Sequence, residues 1–255
     1  MDPYYFLHIP KTAGTSVMET VAASGRFVIC PDGLWSILLQ RDRTELPRYT
    51  MFCGHFYRML PAFLGQSLST FTFLRNPIDR ALSHYEHIRR DAYHYFHAKV
   101  CEQGSLLRFL QDPVTQPLVR NFQVRALSAI FDPAKVRDEL PPSPGERYPL
   151  ERFLETADTG FDDHTALLLA EDFLERCVFV GFVEQMESSM QQLSTMLGMP
   201  ALERLPRARE NSGRRTIDLL SRDETRTLAS LLEADFALNR WALQASERWA
   251  RRNTI

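Results

Sequence analysis

A chain of 255 residues that is 44% hydrophobic, 24% charged and 11% aromatic buries enough apolar surface to offset the entropy of ordering its backbone, which excludes a disordered chain. Its 30 Lys+Arg against 32 Asp+Glu leave a formal charge of -2, so there is no global electrostatic footprint for nucleic acid or an anionic membrane, and any polyanion must be met locally. The length suits one enlarged α/β domain over residues 1–255.

The run at 4–9 is aromatic and β-branched and predicts a strand; Gly14, Thr15, Ser16, Val17 and Val21 predict a loop opening a helix that stops at Gly25. The pattern repeats with a strand at 26–30 and a helix at 32–40 capped by Asp32, then a strand at 50–55 and a short helix near 58–66. A fourth strand at 69–75 runs into Asn76-Pro77, and proline in a first turn predicts a long helix continuing through Ser83, His87 and Tyr95. A fifth strand at 177–183 precedes a helix stopped by Gly198. Between them the pattern is largely helical, interrupted at 132–149 by a charged, proline-rich stretch whose composition predicts a mobile surface excursion. The tail at 221–252 has helical spacing and predicts one or two packing helices.

Strands separated by helices predict a three-layer α/β fold, a parallel sheet flanked by helices, with the ligand at the carboxyl ends of the strands. No apolar run approaches the ~18 residues of a membrane helix and the start, MDPYYFLHIPK, lacks the layout of a signal peptide, so the expectation is a cytoplasmic protein with no membrane partner. Cysteines at 30, 53, 101 and 177 contain no CxxC pair and suggest neither a zinc knuckle nor a disulfide framework.

The segment His8-Ile9-Pro10-Lys11-Thr12-Ala13-Gly14-Thr15-Ser16 lies between a predicted strand and a predicted helix. A loop there aims backbone amides and the positive end of a helix dipole at one point, and Lys11 with the hydroxyls of Thr12, Thr15 and Ser16 completes an anion site fit for a nucleotide phosphate. The lysine precedes the glycine, whereas the NTPase loop GxxxxGK[ST] places it after, which weakens an ATPase or kinase reading. Arg75 ends a strand and Ser83 lies about two helical turns on, so both can converge on a second phosphate. The alternative is that Arg75 simply pairs with Asp79 at the helix start.

HIPKTAGTS, FLRNPIDRALSHY and FVGFVEQMESSMQQL together resemble the sulfotransferase family that uses 3'-phosphoadenosine 5'-phosphosulfate (PAPS), most of all its carbohydrate-type branch, which includes heparan sulfate 2-O-sulfotransferase. The resemblance implies a P-loop NTPase-like fold, sulfuryl transfer to an acceptor hydroxyl, and 3',5'-phosphoadenosine (PAP) as product. It places Lys11, Thr12, Ala13, Gly14, Thr15 and Ser16 around the 5'-phosphosulfate, and Arg75 with Ser83 at the 3'-phosphate. Lys11 would also neutralise charge on the leaving phosphate oxygen.

His55, in Phe52-Cys53-Gly54-His55 at a predicted strand end, has the pKa range suited to taking the acceptor's proton, and it matches the Gly-His position of the base in the 2-O-sulfotransferase-like branch. His8 and then Glu19 are the reserve candidates. The basic stretch at 207–215 resembles the family's nucleotide-covering loop and adds Ser212, Arg214 and Arg215; a solvated loop is the equal alternative. Asn121 and Gln123 resemble a helix the family places beside cofactor and acceptor.

His84, His87, His94 and His97 could put three imidazoles on one helical face, but they read better as a cleft-lining face, and the family needs no catalytic metal. The rival functions are a nucleotide-dependent P-loop kinase and a non-catalytic nucleotide-binding module. The acceptor, whether glycan, small natural product or carrier-tethered chain, is not encoded in any motif.

Overall fold

The computed structural model describes residues 2–140, 148–200 and 216–252. Four parallel strands, β1 (Tyr4–Leu7), β2 (Met51–Gly54), β3 (Ser69–Leu74) and β4 (Phe179–Phe182), form a sheet of order β2-β1-β3-β4. In register, Leu7 faces Gly54 on one side and Thr72 on the other, and Leu74 faces Phe182. All residues of β2 and β4 are buried, as expected for parallel strands covered on both faces.

The expected strand at 26–30 is not one: it makes a single parallel bridge, Ile29 to Met51, along the edge of β2. Val28 is 53% exposed, so this segment lacks the two-sided burial that holds the other strands, and Pro31 follows it.

In chain order the helices are α1 (Gly14–Ala23), α2 (Trp35–Leu38), α3 (Leu60–Leu64), α4 (Pro77–Arg90), α5 (His97–Gln103), α6 (Leu106–Gln111), α7 (Phe122–Ser128), α8 (Pro133–Glu139), α9 (Pro149–Thr156), α10 (Asp163–Arg176), α11 (Met186–Met196), α12 (Arg222–Leu231) and α13 (Glu233–Arg252). Strand alternation divides the core. Phe6, Cys53, Phe71, Phe73 and Phe179 pack under Val17 and Val21 of α1 and Met190 and Leu193 of α11. Tyr5, Leu7, Phe52, Leu74 and Phe182 face the other way, toward α7, α10 and α13. A satellite core gathers Tyr85, Ile88, Phe109, Leu118 and Leu228 from α4, α6, α12 and the intervening chain. The three layers predicted from the strand–helix alternation are therefore present, and the tail resolves into two helices.

Two helix expectations change. α4 stops at Arg90 with Asp91 extended, so His94 and Tyr95 lie beyond it in a turn and not on one long helix. Asp32 is not a helix cap: it is buried and paired with Arg41, and the first turn of α2 is capped instead by Glu151 of α9, which accepts from the Ser36 amide at 2.8 Å and from the Ser36 hydroxyl. The ends of the 132–149 stretch are helical, with Asp132 capping α8, and just beyond it Leu150 and Leu154 of α9 are in the core. Its proline-rich centre, 141–147, lies outside the described residues.

α7 and α13 cap each other. The buried Asp235 carboxylate accepts from the amides of Gln123 (3.2 Å) and Val124 (2.8 Å), while Asn121 Oδ1 accepts from those of Ala234 (3.0 Å) and Asp235 (3.2 Å). Asn121 takes a left-handed φ of 41° to do so. Asp235→Ala strands two buried amides and removes a carboxylate that acts on the buried Arg80 cation. The expected loss is about 3–5 kcal/mol in urea unfolding, against about 1 kcal/mol for Ser221→Ala at the exposed start of α12.

Candidate active site

The strand order sets the crevice. From β1 the chain moves to β2 on one side, then crosses back over β1 to β3 and onward to β4, so the connections diverge between β1 and β3. Ligands of such sheets bind outside the carboxyl ends at that divergence. The segments that follow β1, β3 and β2 are 8–16, Arg75-Asn76 and His55, the three sites singled out in the sequence.

In the first loop Lys11 (φ 73°) and Ala13 (φ 62°) are left-handed, and the fully buried Thr12 donates its hydroxyl (2.8 Å) and amide (3.3 Å) to the Ile9 carbonyl. Thr12 thus shapes the turn from inside. α1 opens with no side-chain cap and no acidic residue in its first turn, so the amides of Gly14, Thr15 and Ser16 face the loop as unspent donors. Among the described residues Lys11 makes no ion pair. Burial first, then Arg75 and Arg90, push its ammonium down to about 8, a sign of positive charge crowded without a counter-anion.

Arg75 joins the second segment to the first: its Nη1 donates to the Lys11 carbonyl at 2.9 Å. The side-chain amide of Gln123 holds the Arg75 backbone from both sides, accepting its N–H (3.0 Å) and donating to its carbonyl (2.8 Å). Asn76 caps α4 through the amides of Ile78 and Asp79, and its own amide donates to Glu184 at 2.7 Å. Ser83 is half-buried two turns into α4.

His55 is fixed at both ends. Its amide donates to the Gly33 carbonyl (2.9 Å), and its Nδ1 lies 2.7 Å from the His8 carbonyl. A carbonyl only accepts, so Nδ1 carries the proton and Nε2 keeps a lone pair. The His8 ring lies 4.4 Å from the His55 ring, centroid to centroid, and fills the space over Gly14, where a Cβ would fall 1.9 Å from His8 Nε2. A Cβ on Gly54 would fall 2.5 Å from the Gly33 carbonyl, so the glycine admits the loop segment that receives the His55 amide. Burial lowers the pKa of both imidazoles, His8 far below its ordinary value; the charges of His55 and Lys11 add to it at His8, and at His55 the bond to the His8 carbonyl opposes it while Lys11 adds to it.

The structure brings together Lys11, Thr12, Ala13, Gly14, Thr15, Ser16, Arg75, His8 and His55. Glu19 is exposed on α1. Ser212, Arg214 and Arg215 lie outside the described residues. Asn121 is spent on helix capping, and Gln123 is a positioning residue for Arg75. Asp235 and Gly33, which help complete the frame, carry no local motif by which sequence reading finds them, while Glu184 lies within the FVGFVEQMESSMQQL segment without having been singled out.

A loop of open amides with a lysine, beside an oriented histidine at neighbouring strand ends, has the donors to hold an anion and a group to accept a proton. The profile of the sulfotransferase family matches residues 2–238, and the chain belongs to that family, an enzyme family that generally uses PAPS. No curated protein matches the chain. Among the described residues no helix is long and apolar enough to cross a membrane.

The two shifted groups set the expected pH profile of kcat/KM. His55 is lowered, so the acid limb falls below pH 6.5; Lys11 titrates at about 8 in the free enzyme, so affinity for an anionic nucleotide declines from there upward. Lys11→Arg should remove the alkaline limb and leave the acid one. An alkaline limb that persists in Lys11→Arg assigns it to another group.

Proposed function

We propose that the enzyme moves a sulfuryl group from PAPS to an acceptor hydroxyl with His55 as general base. The observation that carries this reading is the tautomer of His55: with Nδ1–H held by the His8 carbonyl, Nε2 is left as a proton acceptor at the end of β2, beside the open amides of α1. PAPS supplies an activated sulfuryl group whose departure leaves a phosphate as part of PAP.

The residues fit a nucleotide with an anionic group at each end. Lys11 and the amides over 13–16 would hold the phosphosulfate end, where they offset charge on the leaving oxygen as it develops. Arg75 and Ser83, with Ser212, Arg214 and Arg215, would hold the 3'-phosphate. His55 would take the hydroxyl proton as the acceptor attacks, and His8 would keep water and the wrong rotamer out from behind it. The acceptor class is a glycan, a small natural product or a carrier-tethered chain, the first favoured by the likeness to the 2-O-sulfotransferase branch. A kinase is disfavoured because Lys11 precedes Gly14.

PAP at 100 times its Kd should stabilise the protein by about 2.7 kcal/mol in a thermal shift, and ATP with magnesium should not. A larger shift with ATP overturns the reading. His55→Ala should keep PAP affinity within about threefold yet lose about 10² to 10⁴ of kcat. Parallel loss of affinity and rate would make His55 a structural strand-end residue, and near-normal turnover would move the base to His8.

A further inference from the structure

The four histidines between 84 and 97 do not share a helical face. After α4 the chain turns back and brings the His94 ring to 6.0 Å from that of His84 and 5.7 Å from that of His87, centroid to centroid. His97 turns away, its Nδ1 2.9 Å from the Ile88 carbonyl. What joins His84 and His94 is a carboxylate from α9: one ligand atom each from His84, His94 and Glu155 lie within 4.8 Å of one another.

Glu155 Oε2 is buried and accepts no hydrogen bond, although His84 Nε2 is only 3.9 Å away. The Nδ1 of His84 lies between the Leu118 carbonyl (3.2 Å), which can only accept, and Arg80 Nη1 (3.4 Å), which can only donate; the shorter contact, to the carbonyl, puts the proton on Nδ1 and turns the lone pair of Nε2 toward the carboxylate. Two acceptors facing each other in the interior are unfavourable unless a proton or a metal ion stands between them. Among the described residues neither nearby arginine forms an ion pair with the Glu155 carboxylate: Arg80 donates to the Leu118 carbonyl, stacks on Phe122 and meets His84 only at Nδ1, and Arg125 donates to the carbonyls of Pro117, Glu155 and Ala157.

We propose that His84, His94 and Glu155 bind one divalent transition-metal ion, with zinc the best match, as a structural clasp between α4, the turn after it and α9. Two imidazoles and a carboxylate are a zinc donor set. Tetrahedral zinc sets its ligand atoms about 3.3 Å apart, so the His84–Glu155 gap closes by roughly half an ångström. His94 supplies the larger movement from a half-buried turn. Its Nδ1 accepts the Phe96 amide at 3.1 Å, and either of its nitrogens can ligate only after that bond is given up, so the turn rearranges on binding. Outer partners are in place: the Leu118 carbonyl orients His84, and the Tyr95 phenol interacts with Glu155. The ion is separate from the transfer chemistry, which uses none of these three residues.

The test is titration of chelator-stripped protein with Zn²⁺ and Co²⁺, in a Cys101→Ser background because exposed Cys101 Sγ lies 3.6 Å from His97 Nε2 and offers zinc a second pair. One equivalent should bind with a rise in Tm, and Co²⁺ should give the visible absorption of a four-coordinate site. Glu155→Gln and His94→Ala should each weaken binding by about tenfold or more, and His87→Ala should not. Unchanged affinity in Glu155→Gln and His94→Ala overturns the proposal. So does the weak spectrum of six-coordinate cobalt in the parent protein, a measurement that needs no variant to fold. Since PAP binding is read separately in the same samples, failure here leaves the sulfotransferase reading standing.

Discussion

Lys11 stands in the left-handed region, where a residue with a Cβ is strained by about 1–2 kcal/mol, and such a turn persists only when its surroundings hold it. The holding contact is the bond from Arg75 Nη1 to the Lys11 carbonyl. Arg75 is held in turn by the two-point grip of Gln123, Gln123 sits in the first turn of α7, and that turn is closed by Asp235 of α13. A line of hydrogen bonds therefore runs from the last helix through the middle layer to the loop after the first strand. Its consequence is that the loop's amides keep their direction without a ligand, which is what preorganised charge stabilisation requires. It also means that Arg75 serves two ends: its backbone closes the crevice at β3, and its guanidinium sets the conformation of the loop after β1.

The histidine pair follows a different logic. Catalytic imidazoles are commonly oriented by a carboxylate, which also stabilises the imidazolium once the proton arrives. His55 is oriented by a neutral carbonyl, tilted against a second imidazole and close to a lysine. Orientation is kept while the cation gains only a neutral carbonyl and no counter-charge, so the site favours a base that is deprotonated across the neutral range and passes its proton on. A weaker base suits a reaction in which the leaving group needs no proton and most of the barrier is met by charge stabilisation at Lys11 and the amides of α1.

The strand-end motifs are legible in the sequence because each is short, contiguous and bounded by apolar runs; 8–16, Arg75-Asn76 and Gly54-His55 fall where the alternation of strand and helix puts them. The three layers are legible for the same reason. The segment 26–30 misleads because its apolar residues match a strand while its neighbourhood offers pairing along one edge only. The reciprocal caps of Asn121 and Asp235 are separated by more than a hundred residues, and neither position has a local signature. The histidine cluster is half legible. Its imidazoles are close in sequence, but a helix through Tyr95 would set His94 about 15 Å along the axis from His84, and the end of α4 at Arg90 combined with the distant Glu155 decides the real arrangement.

Glu155 and Glu151 stand one turn apart on α9, an arrangement of like charges that is unfavourable unless each carboxylate finds its own partner. Glu151 finds the amide and hydroxyl of Ser36, which ties α9 to the segment that runs into β2 and His55. Glu155 faces the opposite wall, where His84 and Tyr95 belong to the chain beyond Arg75. One short helix thus joins the segment before β2 to the segment after β3 through two acidic side chains. Burial, with Glu151 adding to it, raises Glu155 to about 7, so near neutrality this end of the span is divided between a protonated and a charged form. A group whose folded pKa is raised above its unfolded value of about 4.3 loses stability as pH climbs through that interval, so the charged form is the one that strains the fold. A cation seated between Glu155 and the imidazoles reverses that sign and converts the weaker end of the span into one that matches the Glu151 end.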